Sequence, residues 1–196
     1  MYESAIELDE IVKSPLRDPQ SLRHLVYEVK GVMELATEED LAFAKFVDSD
    51  LSAGIYTVLK RYCSHIDSSE IEWLERMRKR FGEVLHGVKQ IHRIPRPYQL
   101  ASTYGIELPK KNLNSTSGVG FSYPSVHAAG SRYLAHLIWR KYHTCLGDHG
   151  RYEIFNNANR VAMSRIHLGV HSFQDIREGI RLADILHSDP NGIFIF

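Results

Sequence analysis

Apolar residues recur every three or four positions along most of this chain, and the alternation typical of a half-buried strand is nearly absent. This spacing puts the apolar residues on one face of a helix, and such faces are buried by packing helices together. We therefore predict an all-α protein: a compact bundle of about six to eight helices with its active site at helix ends and loops. The predicted helices are 20–36, 37–63, a long one that opens at 68 and ends before Pro95, 125–144, 152–166 and 172–187.

Charge and composition narrow the function classes. The 24 basic and 24 acidic residues give a formal net charge of zero, which argues against a dedicated binder of nucleic acid polymers. The N-terminus lacks the basic start and apolar core of a secretory signal, and no stretch approaches the roughly 20 apolar residues of a membrane-spanning helix. We therefore expect a soluble, cytoplasmic protein without a transmembrane segment. Apolar stripes on the surface of a helical bundle are also compatible with a homodimer.

The length of 196 residues fits a single domain. We predict one helical domain over 1–196, with a motif-bearing core of about 60–188 and an N-terminal appendage at 1–36, which could be a cap, a dimer arm or a lid. Residues 98–123 read as a long loop, and loops of that length in compact domains are usually functional. The two cysteines are too few for a disulfide scaffold, and their spacing matches no metal site.

Histidine is over-represented, with eleven residues, and two histidines lie in short polar segments that could carry chemistry. In residues 122–130, Ser125 occupies an N-cap position before an apolar helix, whose first amides bind anions, and His127 on the first turn could donate a proton. In residues 164–175, Asp175 follows His171 by four positions and could hold one ring nitrogen, leaving the other nucleophilic. The plain alternatives are an ordinary serine cap with a surface histidine, and a capping box.

A third segment, residues 89–97, is basic and contains two prolines. Lys89 should lie in the last turn of the long helix. Arg96 stands between Pro95 and Pro97, and a residue before proline is held extended, so its planar fork is partly ordered before it meets a phosphate. The plain alternative is that cations at a helix C-terminus merely favour the helix dipole.

Together the three segments contain Lys-x6-Arg-Pro, Pro-Ser-x-His and Ser-Arg-x5-His-x3-Asp, in that order. This pattern resembles the signature of the type 2 phosphatidic acid phosphatase superfamily. That superfamily holds the soluble class A non-specific acid phosphatases, membrane lipid phosphatases, glucose-6-phosphatase and the vanadium haloperoxidases. The resemblance covers about residues 89–175, and in character it is closest to the class A acid phosphatases. It implies a phosphoric ester hydrolase that uses neither a cofactor nor a metal.

Under this resemblance His171 is the nucleophile that forms a phosphohistidine, Asp175 orients its ring, and His127 protonates the leaving oxygen and then activates water. The implied phosphate-binding residues are Lys89, Arg96, Ser125, Val126 and Arg165. The substrate would be a small phosphomonoester or phosphoanhydride. One position departs from the family, which usually has glycine where this chain has Val126. Valine keeps the backbone amide, but its side chain narrows the site and disfavours a positive φ.

Two alternatives share the same anion site. A vanadium-dependent haloperoxidase would hold vanadate on His171, although members of that branch are much longer chains. A peripheral lipid-phosphate phosphatase is compatible with the apolar end of the chain at 193–196. A non-enzymatic binder of phosphorylated ligands is a third reading, which the intact His127, His171 and Asp175 disfavour.

Overall fold

The computed structural model describes residues 9–109 and 119–187, and these form an all-α bundle without strands. The helices in the described part of the chain are α1 (Pro19–Leu35), α2 (Glu38–Ser49), α3 (Ala53–Tyr62), α4 (Ser68–His92), α5 (Pro97–Thr103), α6 (Val126–His167) and α7 (Phe173–Leu186). The predicted fold class is therefore confirmed. No helix in the described ranges is long and apolar enough to cross a membrane.

Helix ends follow the local capping chemistry of the sequence. Thr37 and Ser172 each form a capping box at the start of α2 and α7, and Asp67 caps α4 by accepting from the amide of Glu70. These side chains satisfy amides that the first turn of a helix leaves without partners. The start of α7 at Ser172 agrees with the capping-box prediction made from its spacing.

Two predicted elements were wrong in their boundaries. The helix predicted over 37–63 is two helices, because Asp50 interrupts it and its Oδ1 accepts hydrogen bonds from the amides of Ser52 and Ala53. The loop predicted over 98–123 begins inside α5, which Pro97 starts at the first helical position. Residues 110–118 of that loop lie outside the described residues.

Helix α6 is the centre of the bundle and folds back on itself at Gly147. This glycine has φ 59° and ψ −176°, a backbone conformation that interrupts the helix where the sequence predicted a joint. The two halves then pack against each other, and the hydroxyl of Ser131 donates to the carbonyl of Ala158 across the hairpin. Both ends of α6 consequently lie at the same end of the molecule.

The other helices pack around this hairpin, and α1, α2, α3, α4 and α7 all contact α6. Helix α1 contributes Val26, Val29 and Met33, none of which is exposed, so residues 19–35 belong to the packed core. Burying a side chain of this size stabilises the fold by roughly 1.5–3 kcal/mol. The largest fully buried aliphatic side chains are Met33, Ile55, Leu59, Leu74, Leu85, Leu134, Ile138, Ile154 and Ile166.

The segment that precedes α1 is fastened to the start of α7. The amide of Lys13 donates to Glu178 Oε1 at 2.9 Å, and the amide of Leu16 donates to Gln174 Oε1 at 2.7 Å. The hydroxyl of Tyr123 donates to the carbonyl of Lys13. Side chains from two motif-bearing segments thus hold this part of the N-terminal region in place.

The two cysteines, Cys63 and Cys145, form a disulfide that joins the end of α3 to α6 near its hinge. This pairing was not predicted from the sequence. Disulfides persist mainly in oxidising compartments, so this bond argues against the cytoplasmic location expected from the sequence. The cytoplasmic location therefore stays a prediction.

Candidate active site

The first turn of α6 carries Ser125 and His127. Ser125 is fully buried and is the N-cap, since its Oγ accepts from the amide of Ala128 at 3.3 Å. Its own amide donates to the carbonyl of Asp175 at 2.9 Å, which ties α6 to α7. Burial, reinforced by the charge of Arg165, lowers the pKa of His127 to about 3 and keeps its ring neutral.

Close approach of α7 to this turn depends on Gly179. A β-carbon at this position would lie 2.6 Å from the carbonyl oxygen of Ser125, well inside van der Waals contact. Only glycine lets the two backbones approach this closely. The pairing of α6 and α7 therefore sets the spacing between His127 and the residues at the start of α7.

His171 lies in the turn between α6 and α7, after Gly169 has reversed the chain with φ 66°. The amides of Val170 and His171 both donate to the carbonyl of Arg165, which fixes this turn against the end of α6. The side chain of His171 is almost fully buried, and its Nδ1 lies 3.4 Å from Oδ2 of Asp175. The predicted pairing of this histidine with a carboxylate is therefore present in the structure.

The protonation of His171 follows from its contact with Arg96. Nη1 of Arg96 lies 3.0 Å from Nε2 of His171, and a guanidinium can only donate. Nε2 is therefore the unprotonated nitrogen, and the ring proton is on Nδ1, towards Asp175. Burial, with repulsion from Lys89 and Arg96, lowers the pKa of His171 and keeps the ring neutral. A neutral ring with an unprotonated Nε2 is the form required of a nucleophile.

Lys89 and Arg96 are buried cations held by backbone carbonyls. Nζ of Lys89 donates to the carbonyls of Phe121 at 2.9 Å and Ser122 at 2.6 Å. The guanidinium of Arg96 donates to the carbonyls of Gly120, Val119 and Val170. Burial lowers the pKa of Lys89 to about 7, with further repulsion from Arg96. Both side chains are thus fixed before any anion arrives.

Arg165 is fully buried near the end of α6 and pairs with a carboxylate from another helix. Its Nη2 donates to Oδ1 of Asp48, in α2, at 2.8 Å. A charge this deep needs such a partner, because the free energy of desolvating a lone guanidinium is large. Asp48 also acts on His127, where its charge opposes the fall in pKa.

Several of these residues line a cavity of about 360 Å³. Five of the residues predicted from sequence line it: Lys89, Arg96, Val126, His127 and His171. Ser125, Asp175 and Arg165 do not line it and are buried. His86 of α4 also faces the cavity, and among the described lining residues there is no carboxylate. The charge of the lining is suited to an anion.

The side chain of Val126 is accommodated by a glycine on the facing helix. A β-carbon at Gly82 of α4 would be 3.4 Å from Cγ1 of Val126, and Val126 packs against the buried cluster that contains Phe81, Leu85 and Tyr133. Val126 also starts α6 and does not have a positive φ. Valine is thus compatible with the helix start, and it forms part of the cavity wall.

Besides His86, the sequence did not predict Ser122 and Asp48, which contact residues of this site. The hydroxyl of Ser122 donates to Oδ2 of Asp175 at 2.5 Å, although Ser122 was only part of a motif segment with no role. Asp48 is 117 residues from its partner Arg165. No spacing in the chain signals either contact, because both depend on tertiary packing.

Comparisons with known proteins add no assignment. No model of a known protein family matches the chain, and no curated protein matches it either.

Proposed function

We propose that this protein is a metal-independent phosphatase that hydrolyses small phosphomonoesters or phosphoanhydrides through a phosphohistidine, as a member of the type 2 phosphatidic acid phosphatase superfamily. One observation carries the proposal: three segments distant in sequence bring Lys89, Arg96, His127 and His171 to one cavity. The size of that cavity, about 360 Å³, is at the small end of the usual range for ligand pockets and suits a small substrate.

In the first step the Nε2 lone pair of His171 attacks phosphorus, and the bond from phosphorus to the leaving oxygen breaks. For this attack the phosphate oxygens must compete with Nε2 for Arg96, which then holds an equatorial oxygen instead. Positive charge develops on the imidazole as the nitrogen–phosphorus bond forms. Asp175 beside Nδ1 stabilises that charge.

His127 supplies a proton to the leaving oxygen. Its low pKa reflects burial and neighbouring cations, and a phosphate dianion bound beside it opposes both effects, so that protonation accompanies substrate binding. In the second step His127 takes a proton from water, which attacks phosphorus. The nitrogen–phosphorus bond breaks, inorganic phosphate leaves, and His171 is regenerated.

Stabilisation of the transferring phosphoryl group is assigned to the buried cations and the helix start. Lys89 and Arg96 border the cavity, while Arg165 and Ser125 are fully buried and do not line it. Phosphoryl transfer requires mainly positioning and charge stabilisation, and fixed buried donors provide both. These cations take the part that a metal ion has in other phosphatases.

The test is release of p-nitrophenol from p-nitrophenyl phosphate between pH 4 and 8 with EDTA present. We expect turnover that orthovanadate inhibits and that His171→Asn abolishes. The matched control is His143→Asn, since His143 is an exposed histidine of α6 outside the cavity. His127→Ala should leave phosphate on His171, which mass spectrometry would detect. Full activity of His171→Asn would refute the assignment, and bromide oxidation by the vanadate-loaded protein would favour the haloperoxidase instead.

A further inference from the structure

We propose that Ser122 is a positioning residue of this site, whose hydroxyl holds Asp175 against the Nδ1 side of His171. The kinetic consequence of this inference rests on the proposed function. The hydrogen-bond arrangement itself does not depend on that function. Ser122 does not line the substrate cavity, and its hydroxyl acts through the two side chains that it contacts, those of Asp175 and His171.

The hydroxyl of Ser122 lies in the angle between the carboxylate and the imidazole. Its Oγ donates to Oδ2 of Asp175 at 2.5 Å and is 3.4 Å from Nδ1 of His171. The direct separation of Nδ1 and Oδ2 is also 3.4 Å. The three side chains form a closed triangle in which each is at most 3% exposed.

The shortest side of the triangle joins Ser122 to Asp175. Oδ2 of Asp175 accepts from the Ser122 hydroxyl and from the Ser172 amide at 2.6 Å, while His171 lies further away. A hydroxyl has one proton to donate and two lone pairs to accept with. With its proton committed to Asp175, the Ser122 oxygen offers a lone pair to the Nδ1 proton of His171.

The main chain of Ser122 also contacts the basic segment, residues 89–97. Its amide donates to the carbonyl of Ile94 at 2.8 Å, and its carbonyl accepts from Nζ of Lys89 at 2.6 Å. One buried residue therefore touches a phosphate-binding lysine, the nucleophile and the carboxylate. Movement of this residue would disturb all three together.

Electrostatics predict the direction in which loss of the Ser122 hydroxyl would shift the pKa of Asp175. Burial raises the pKa of Asp175, and the hydrogen bond from Ser122 is the largest effect that opposes the rise. Without that bond the carboxylate is protonated at a higher pH. A neutral Asp175 no longer stabilises positive charge on His171, so the acid limb of the rate profile should move to higher pH.

The experiment compares Ser122→Ala, Asp175→Asn and the double variant in full-length protein with p-nitrophenyl phosphate. Ser131→Ala is the matched control, because Ser131 is also fully buried but donates only to helix carbonyls. We expect Ser122→Ala to lower kcat by about tenfold or more, to leave KM within about twofold and to move the acid limb upward. The double variant should be no slower than Asp175→Asn alone, since Ser122 acts through Asp175.

Multiplicative losses in the double variant, or an unmoved acid limb in Ser122→Ala, would overturn the proposal. A second readout needs no turnover: ¹⁵N NMR of the His171 ring should show the proton on Nδ1 in the wild type and a changed tautomer balance or pKa in Ser122→Ala. If the wild type hydrolyses no phosphate ester but the ring responds, the proposed function fails and the positioning role stands. An unchanged ring in a folded Ser122→Ala protein refutes the positioning role by itself.

Discussion

We predict that Lys89 makes anion binding by this site dependent on pH. Its side chain is 4% exposed, and burial lowers its pKa from 10.5 to about 7, with repulsion from Arg96 adding to the effect and Asp175 opposing it. Below pH 7 the ammonium form predominates, and above pH 7 the amine does. A tetrahedral dianion bound in the cavity favours the ammonium and returns its pKa towards the ordinary value.

The magnitude of this pH dependence follows from the linkage between anion binding and proton uptake. When the free site holds the amine and the bound site holds the ammonium, binding takes up one proton. The affinity then falls by up to about tenfold, or about 1.4 kcal/mol, for each pH unit above 7. Between pH 7 and 9 the dissociation constant for a tetrahedral anion should therefore rise by up to about a hundredfold. Below pH 6 Lys89 should contribute little slope.

Isothermal titration calorimetry with tungstate at pH 6, 7, 8 and 9 measures this directly, and two buffers with different ionisation heats give the proton uptake. Lys89→Met should bind more weakly at pH 6 and lose the Lys89 slope above pH 7. Lys79→Met is the matched control, because Lys79 is an exposed lysine on the same helix. An affinity independent of pH in the wild type, or an unchanged slope in Lys89→Met, would refute the reasoning.

Three further substitutions test how the site is built. Gly179→Ala should lower the free energy of unfolding by about 2 kcal/mol or more and reduce kcat, because its methyl group would overlap a backbone oxygen at the start of α6; urea unfolding measures the loss. Val126→Gly should widen the cavity and increase kcat/KM for bulky phosphomonoesters relative to small ones. Replacing Cys63 and Cys145 by serine should lower the unfolding free energy by about 2–5 kcal/mol, because the disulfide closes a loop with a sequence separation of 82.

Each of these has a clear contrary result. An unaltered unfolding midpoint for the Gly179 variant would mean that α6 and α7 separate easily. Equal relative rates for large and small esters in the Val126 variant would remove that side chain from the determinants of substrate size. Coincident unfolding curves for the oxidised protein and the double serine variant would show that the disulfide does not restrict the unfolded chain.

Local features of the fold could be predicted from the sequence because they depend on neighbouring residues. The caps at Ser125 and Ser172 are examples, since each accepts from an amide three residues later. The break at Asp50 was missed although it too is local. Apolar spacing runs through both helices, and an aspartate inside a helical pattern does not by itself signal an end.

Contacts between distant parts of the chain could not be predicted from residues alone. The resemblance implied a phosphate-binding role for Arg165, but nothing in the chain predicted Asp48 as its partner. The role of Ser122 depends on where α7 places Asp175, which periodicity does not specify. The fit of Val126 likewise requires the glycine of a facing helix, and the choice of facing helix is a property of the whole bundle.

The turn at Gly147 determines how residues at the two distant ends of the α6 hairpin are positioned relative to each other. His127 and Arg165 are each about 20 residues from the hinge, or about 30 Å along a helix that rises 1.5 Å per residue. Adding one residue at the turn would slide one half of the hairpin by about 1.5 Å and rotate it by about 100° relative to the other. The alignment of His127 with Arg165 thus depends on the number of residues in a turn at the opposite end of the molecule.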